Sequence, residues 1–181
     1  MQTTALLLGR ELDALVALQE EASKALLHES HRHPISRILE TAPGFGPKRA
    51  AQLIPIVVTP WRFRSKKQFW SYCGFGIRTH TSSDWEKGEN GWHRAHVPQT
   101  RGLSRSYNHQ LKWIFKGAAT TVIAHCGGNS LRDHYDGLLE NGTKPNLAKL
   151  TIARRIAAIV LAMWKAEEKY DPKKAHIPGS C

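Results

Sequence analysis

Two adjacent serines, Ser82 and Ser83, close a segment whose side chains could act on a polyanion. It runs from Trp61 to Ser83, WRFRSKKQFWSYCGFGIRTHTSS, and interleaves Arg62, Arg64, Lys66 and Lys67 with aromatic residues. Cations that neutralise phosphates release counterions, and aromatic faces accept stacked bases of any identity. A serine hydroxyl beside such a grip can attack a phosphodiester when a base or metal activates it. The plainer reading of either serine is a loop residue that hydrogen-bonds locally.

Charge agrees with a polyanion partner. The formal net charge is +11, and residues 61–116 hold eleven cations against three acids. Residues 1–40, by contrast, hold four cations and six acids. A basic chain could instead meet an anionic membrane surface, but the longest apolar run, Ile156–Met163, is far below a membrane span. Leu6–Leu8 is too short for the core of a signal peptide. No membrane role is expected. Cys73, Cys126 and Cys181 are odd in number and form no Cys-x-x-Cys pair, which indicates reduced thiols and a cytoplasmic setting.

The elements that must position these residues read as helices. Residues 3–30 form one amphipathic helix with a seam at Leu8, Leu12, Leu15, Ala22 and Leu26, interrupted by Gln19. Such a seam suits a coiled-coil arm, and hence a homo-oligomer, or a helix packed on its own domain. His28, His31 and His33 follow, at a spacing that fits no common metal site and suits a solvated helix end. A helix, a glycine-bearing turn (Pro43-Gly44-Phe45-Gly46) and a second helix opened by Pro47 come next. Glycines Gly44 and Gly46 would let the backbone approach a phosphate at that helix start, with Lys48 and Arg49 adding charge. A simple helix–helix connection is the alternative.

Ser65 is an N-cap candidate for a helix whose buried side is marked by Phe63, Phe69 and Tyr72. Residues 79–101 have no clean period, although Glu89-Asn90-Gly91 could turn a short β-hairpin. Asp84, Glu86 and Glu89 in that stretch are weak candidates for a divalent ion, and no metal ligands are assigned in this chain. Three helices follow, over 104–125, about 130–140 and about 146–169. The expected fold is all-α, with five or six helices: a long N-terminal helix, a helix-hairpin-helix unit and a bundle carrying one irregular loop or hairpin insertion. The division is 1–33 for the coiled-coil-like helix, 34–170 for the helical domain, and 171–181 for a flexible tail.

Taken in order, several blocks resemble the C-terminal domain of transposases of the IS 110 / IS 116 / IS 902 insertion-sequence family. They are Leu39–Gly46, Arg62-Phe63 with Ser65, Phe69–Gly74, Arg78–Ser82, Asn108–Ala119, and Ala148–Trp164 with Ala153-Arg154-Arg155. The resemblance runs from about Ile35 to Tyr170, and the leading helix is similar to the family's coiled-coil arm. It implies recombination of a mobile DNA element, with a non-coding guide RNA as a further partner. It also implies a serine nucleophile, which falls on Ser82, with Arg78 available to stabilise phosphate charge. Ile77 stands where the family has proline, and Ser83 where it has glycine.

The DNA-binding set implied is Gly44, Gly46, Lys48, Arg49, Arg62, Arg64, Lys66, Lys67, Arg78, Arg101, Arg105 and Asn108. The family's divalent metal, Mg, belongs to acids of an N-terminal ribonuclease-H-like domain outside these 181 residues. The chain is therefore expected to act with a separately supplied metal-binding partner, or to be a non-catalytic nucleic-acid-binding module or regulator derived from such an enzyme.

Overall fold

The last helix, α7 (Pro145–Ala166), is the axis around which the body packs, because one face is small and apolar along its length. Ile152, Ala153, Ile156, Ala157 and Val160 on that face are fully buried. Beside it lies α5 (His109–His125), which buries Leu111, Ile114, Phe115, Ala118, Ala119 and Val122. Alanines at facing positions let two helices approach closely. Also packed on α7 are α2 (Pro34–Leu39), α4 (Lys66–Tyr72), α6 (Ser130–Glu140) and a short 3-10 turn, η1 (Pro60–Arg62). The remaining body helix, α3 (Pro47–Val57), rests against α2 and α5.

The computed structural model describes residues 2–80, 85–89, 91–94, 99–125 and 128–172, with the backbone alone at 2, 78–80, 86, 94 and 99–101.

All five phenylalanines of the chain meet in one cluster. Phe115 of α5 sits at its centre, with ring centroids 5.5 Å from Phe45, 5.7 Å from Phe69 and 6.3 Å from Phe75. Phe63 joins through Phe69 at 4.9 Å. Aromatic pairs of this geometry contribute about 0.5–1.5 kcal/mol each beyond area burial. The cluster ties both glycine-bearing turns, 43–46 and 73–76, to the same core.

Helix starts follow local signals. Ser65 Oγ accepts the Gln68 N–H (3.4 Å) at the start of α4, and Pro47 and Pro145 open α3 and α7. α3 ends abruptly. Its C-cap Val58 has φ 63° and ψ −54°, and the Thr59 N–H bonds to the Val57 carbonyl at 2.7 Å. That is a γ-turn of the rare, strained hand, on a β-branched residue.

The all-α expectation holds, with seven α-helices among the described residues rather than five or six. One boundary moves. α5 begins at His109, not at residue 104, because 99–103 form a strand and the link is claimed by tertiary bonds. The Ser104 N–H bonds to the Gly76 carbonyl (3.1 Å) and the Asn108 N–H to the Tyr72 carbonyl (2.9 Å). The helical pattern of 104–108 loses to these partners, as propensity often does.

Two parts stand apart from the body. The first is α1 (Gln2–His31), thirty residues long. Its C-terminal portion packs on α3 and α2, fixed by a chain in which Ser30 Oγ meets Ser36 Oγ (2.8 Å) and Ser36 Oγ donates to Glu40 Oε1 (3.0 Å). His31 Nε2 reaches the same carboxylate at 3.2 Å. Further toward the N-terminus, the seam residues Leu8, Leu12 and Leu15 are exposed, as are Leu6, Leu7 and Leu18.

The second is the insertion between α4 and α5. β1 (Ile77–His80) pairs antiparallel with β4 (Gln99–Leu103) to make a stem, with a register shift between Ile77 and Thr79. β2 (Trp85–Gly88) and β3 (Gly91–Arg94) form a separate two-stranded hairpin, closed where Gly88 pairs with Gly91. The expected hairpin is therefore present. Asn90 lies outside the described residues.

Candidate nucleic-acid interface

The turn before α3 separates two glycines that look alike in the sequence. Gly44 has φ 68°, and a Cβ there would stand 2.3 Å from the Ala118 carbonyl oxygen. Close packing on α5 therefore demands that glycine. At Gly46, the N-cap of α3, a Cβ would meet nothing within 4 Å. The space beside the first turn of α3 is open, and Lys48 next to it is exposed, lining a groove against α1 with Glu20, Lys24 and Leu27. Arg49 faces the other way. Its guanidinium donates to the Gly44 carbonyl and lies against Gly117 of α5. Partial burial holds it below the usual arginine pKa.

Arg62 also has internal partners. Nη1 donates to the Ile56 and Val57 carbonyls (3.3 and 3.2 Å), at the end of α3 where carbonyls lack helical partners. Its guanidinium carbon lies 5.4 Å from the Tyr72 ring centroid and 5.7 Å from that of Phe63.

Arg64, Lys66 and Lys67 are exposed, and none of the three makes an ion pair among the described residues. The backbone around them is held by Gln68, whose Oε1 accepts the Arg64 N–H at 2.8 Å. Lys66 Nζ lies 5.7 Å from the Trp70 ring. Trp61, at the head of the segment, is 70% exposed, with Lys165 Nζ 5.4 Å from its ring. Lys165 also donates to the Phe63 carbonyl (2.6 Å), a bond across the fold that no local pattern announces.

The segment then turns into the stem through a firmly seated root. Trp70 Nε1 donates to the Arg154 carbonyl and Arg154 Nε to the Phe75 carbonyl, both at 2.9 Å. Desolvation holds the Arg154 guanidinium below its usual pKa. Gly74, at φ 76°, lets the Tyr107 ring lie where a Cβ would be 2.6 Å away. Lys112 Nζ stands 4.1 Å from the Tyr107 ring.

Asn108 caps α5, its Oδ1 accepting the Leu111 N–H at 2.9 Å, while Arg105 in the preceding link is exposed. Arg78 and Arg101 lie on β1 and β4 of the stem. Ser82, Ser83 and Asp84 lie outside the described residues, in the chain between β1 and β2.

The expected set thus divides. Lys48, Arg64, Lys66, Lys67 and Arg105 face solvent, Arg62 is exposed as well but bonds to two α3 carbonyls, and Arg49, Gly44 and Asn108 have structural partners. Among the described residues, no three His, Cys, Asp or Glu side chains gather that could hold a metal ion. No helix among them is long and apolar enough to cross a membrane. The site reading also leaves Trp85, Lys87 and Trp92 without a role. Their signal is the two-residue alternation on either side of Asn90-Gly91.

A relative from Streptomyces clavuligerus, the insertion element IS116 uncharacterized 44.8 kDa protein, is 26% identical over 137 residues. The alignment covers 76% of this chain and 31% of that protein, so the chain spans about a third of the relative's length. Residues 36–136, from α2 into α6, match the family described as Transposase IS116/IS110/IS902. With more than half of its length matched, the chain belongs to the Transposase IS116/IS110/IS902 family.

Proposed function

We propose that the chain is the DNA-binding, serine-bearing part of a transposase, gripping DNA beside the stem that leads to Ser82. The observation that carries this reading is the cluster of Arg64, Lys66 and Lys67, exposed and without ion pairs among the described residues, beside the exposed Trp61. Cations at a helix start oppose the helix dipole, so local stability does not account for them, and a phosphate backbone does. Lys48 beside the open first turn of α3 and the exposed Arg105 extend the same surface chemistry. Ser82 is the nucleophile in this reading. After a base or a separately supplied metal centre takes its proton, its Oγ forms a bond to phosphorus as a deoxyribose oxygen leaves and takes up a proton, with Arg78 the cation that the resemblance assigns to the phosphate charge.

A salt titration of duplex binding tests the grip. The logarithm of affinity should fall linearly with the logarithm of salt concentration, and Arg64→Glu, Lys66→Glu and Lys67→Glu should each weaken binding and flatten that slope. A flat salt dependence in the wild type would sink the reading. The serine is tested by mixing the chain with an intact family member and its DNA ends. A covalent protein–DNA species that Ser82→Ala removes supports catalysis. Its absence leaves the non-catalytic module or regulator as the function.

Two partners belong to the same proposal. The exposed Leu8–Leu12–Leu15 seam of α1 favours self-association, which sedimentation of the wild type against Leu12→Ser/Leu15→Ser would show. The guide RNA of the family is tested by competing structured RNA against duplex DNA for the same surface.

A further inference from the structure

The β2–β3 hairpin has a composition that duplex gripping alone does not explain. Trp85 pairs with Arg94, Glu86 with His93, Lys87 with Trp92 and Gly88 with Gly91. Because directly opposed residues share a face and successive residues alternate, positions 85, 87, 92 and 94 lie on one side. Positions 86, 88, 91 and 93 lie on the other. The His93 ring bears this out, since a Cβ on Gly88 would stand 2.7 Å from it. One side therefore carries Trp85 and Trp92 on a diagonal with Lys87 beside them. Trp85 and Trp92 are 54% and 68% exposed, and Lys87 is exposed.

Among the described residues, neither strand packs extensively on anything but the other. An isolated two-stranded hairpin is marginal in water, and the exposed part of a large ring is costly there. A partner that covers this side must accept flat aromatic rings and positive charge together. Unpaired nucleobases do so: each has a π-face for a tryptophan and a phosphate for a neighbouring cation. In a fully paired duplex the base faces are already stacked inside, out of reach of a side chain. The hairpin also begins three residues after Ser82 in the chain.

Resting on the DNA reading above, we infer that the Trp85/Trp92 side of the β2–β3 hairpin is a stacking platform for unpaired bases. It would hold an opened strand on a hairpin that begins three residues after Ser82 in the chain. Trp85 and Trp92 stack on neighbouring bases, and Lys87 meets the phosphate between them.

The full chain is titrated with two probes: a short fluorescent duplex with a central stretch of unpaired thymines, and the same duplex fully paired. The wild type should prefer the unpaired probe. Trp85→Ala and Trp92→Ala should each weaken binding to it roughly five- to a hundredfold and leave the paired probe within about twofold. Trp85→Tyr and Trp92→Tyr, which keep a ring and a strand former, should retain most of the preference. They guard against a hairpin that simply fails to form. Equal losses on both probes, or none on either, overturn the platform while the duplex grip stands. Loss of self-association without change in either affinity overturns it in favour of a protein-facing surface. A wild type that binds neither probe removes the DNA reading and the platform together.

Discussion

Arg62 and Arg64 are two residues apart in one basic segment, and their surroundings differ in kind. Both are exposed, but the Arg62 guanidinium turns back onto the last carbonyls of α3 and lies near two rings, whereas among the described residues Arg64 is bound through its backbone N–H, to Gln68. The same split runs through the molecule. Arg49, Arg154 and Lys165 donate to the carbonyls of Gly44, Phe75 and Phe63, each fastening a turn or link to a helix. Lys48, Lys66, Lys67 and Arg105 are exposed. A charge-assisted bond to a part-buried carbonyl contributes to stability at any salt concentration, because solvent ions screen it weakly. An exposed cation contributes little to stability and much to the surface potential. Net charge therefore overstates the cations available to any polyanion partner, because several are engaged in holding the fold.

The comparison breaks most easily at the turn where an inward cation meets the core. Gly44→Ala places a methyl against the Ala118 carbonyl at a positive φ, and should cost roughly 3 kcal/mol. Thermal unfolding should show it as a fall of roughly 6–12 °C in Tm. Arg154→Met keeps the apolar stem and loses the bond to Phe75, for about 2 kcal/mol, with the salt slope of DNA binding unchanged. A changed slope at normal stability would move Arg154 into the outward set. Asn108→Ala removes the α5 cap and should cost about 1 kcal/mol, read by denaturant titration. DNA affinity of the folded variant should stay at the wild-type value if capping is the residue's whole role. At the small end for stability are Arg64→Gln, Lys66→Gln and Lys67→Gln. Each should alter unfolding by no more than about 0.5 kcal/mol, yet lower the salt slope by about 0.9 for each phosphate it leaves unneutralised.

What the sequence made legible was what short-range chemistry decides. Ser65 before an apolar-faced helix, Pro47 as a first helical residue, and Asn90-Gly91 between two alternating runs all mark elements that are present. The alanine and leucine faces of α5 and α7 likewise announce their own burial. The direction in which a cation turns is not a local property. Arg49 looks inward because Gly117 of α5, sixty-eight positions on in the numbering, leaves room for its guanidinium. Gly44 and Gly46 carry the same residue type for different reasons, and the positive φ of Gly44 and its packing on α5 tell them apart. The start of α5 was hidden for the same reason. Residues 104–108 carry a helical pattern, but the carbonyls of Gly76 and Tyr72 take the amides of Ser104 and Asn108 at its two ends. The serine site stays a matter of sequence resemblance, since Ser82 lies outside the described residues.

The geometry of α1 has a consequence for assembly that can be stated as length and phase. Thirty residues at 1.5 Å each make a rod about 45 Å long, the axial length of about thirteen DNA base pairs. One end is fixed to the body through Ser30 and Ser36, so the other end sits at a set offset and a set rotation about the rod. Seven residues inserted between Gly9 and Ala22 would push the free end out by about 10 Å and nearly preserve the seam's orientation. Two residues inserted there would advance it by only about 3 Å but swing everything beyond by about 200°. Reach and azimuth on this arm can therefore be set independently, while the packing of the helical body stays as it is.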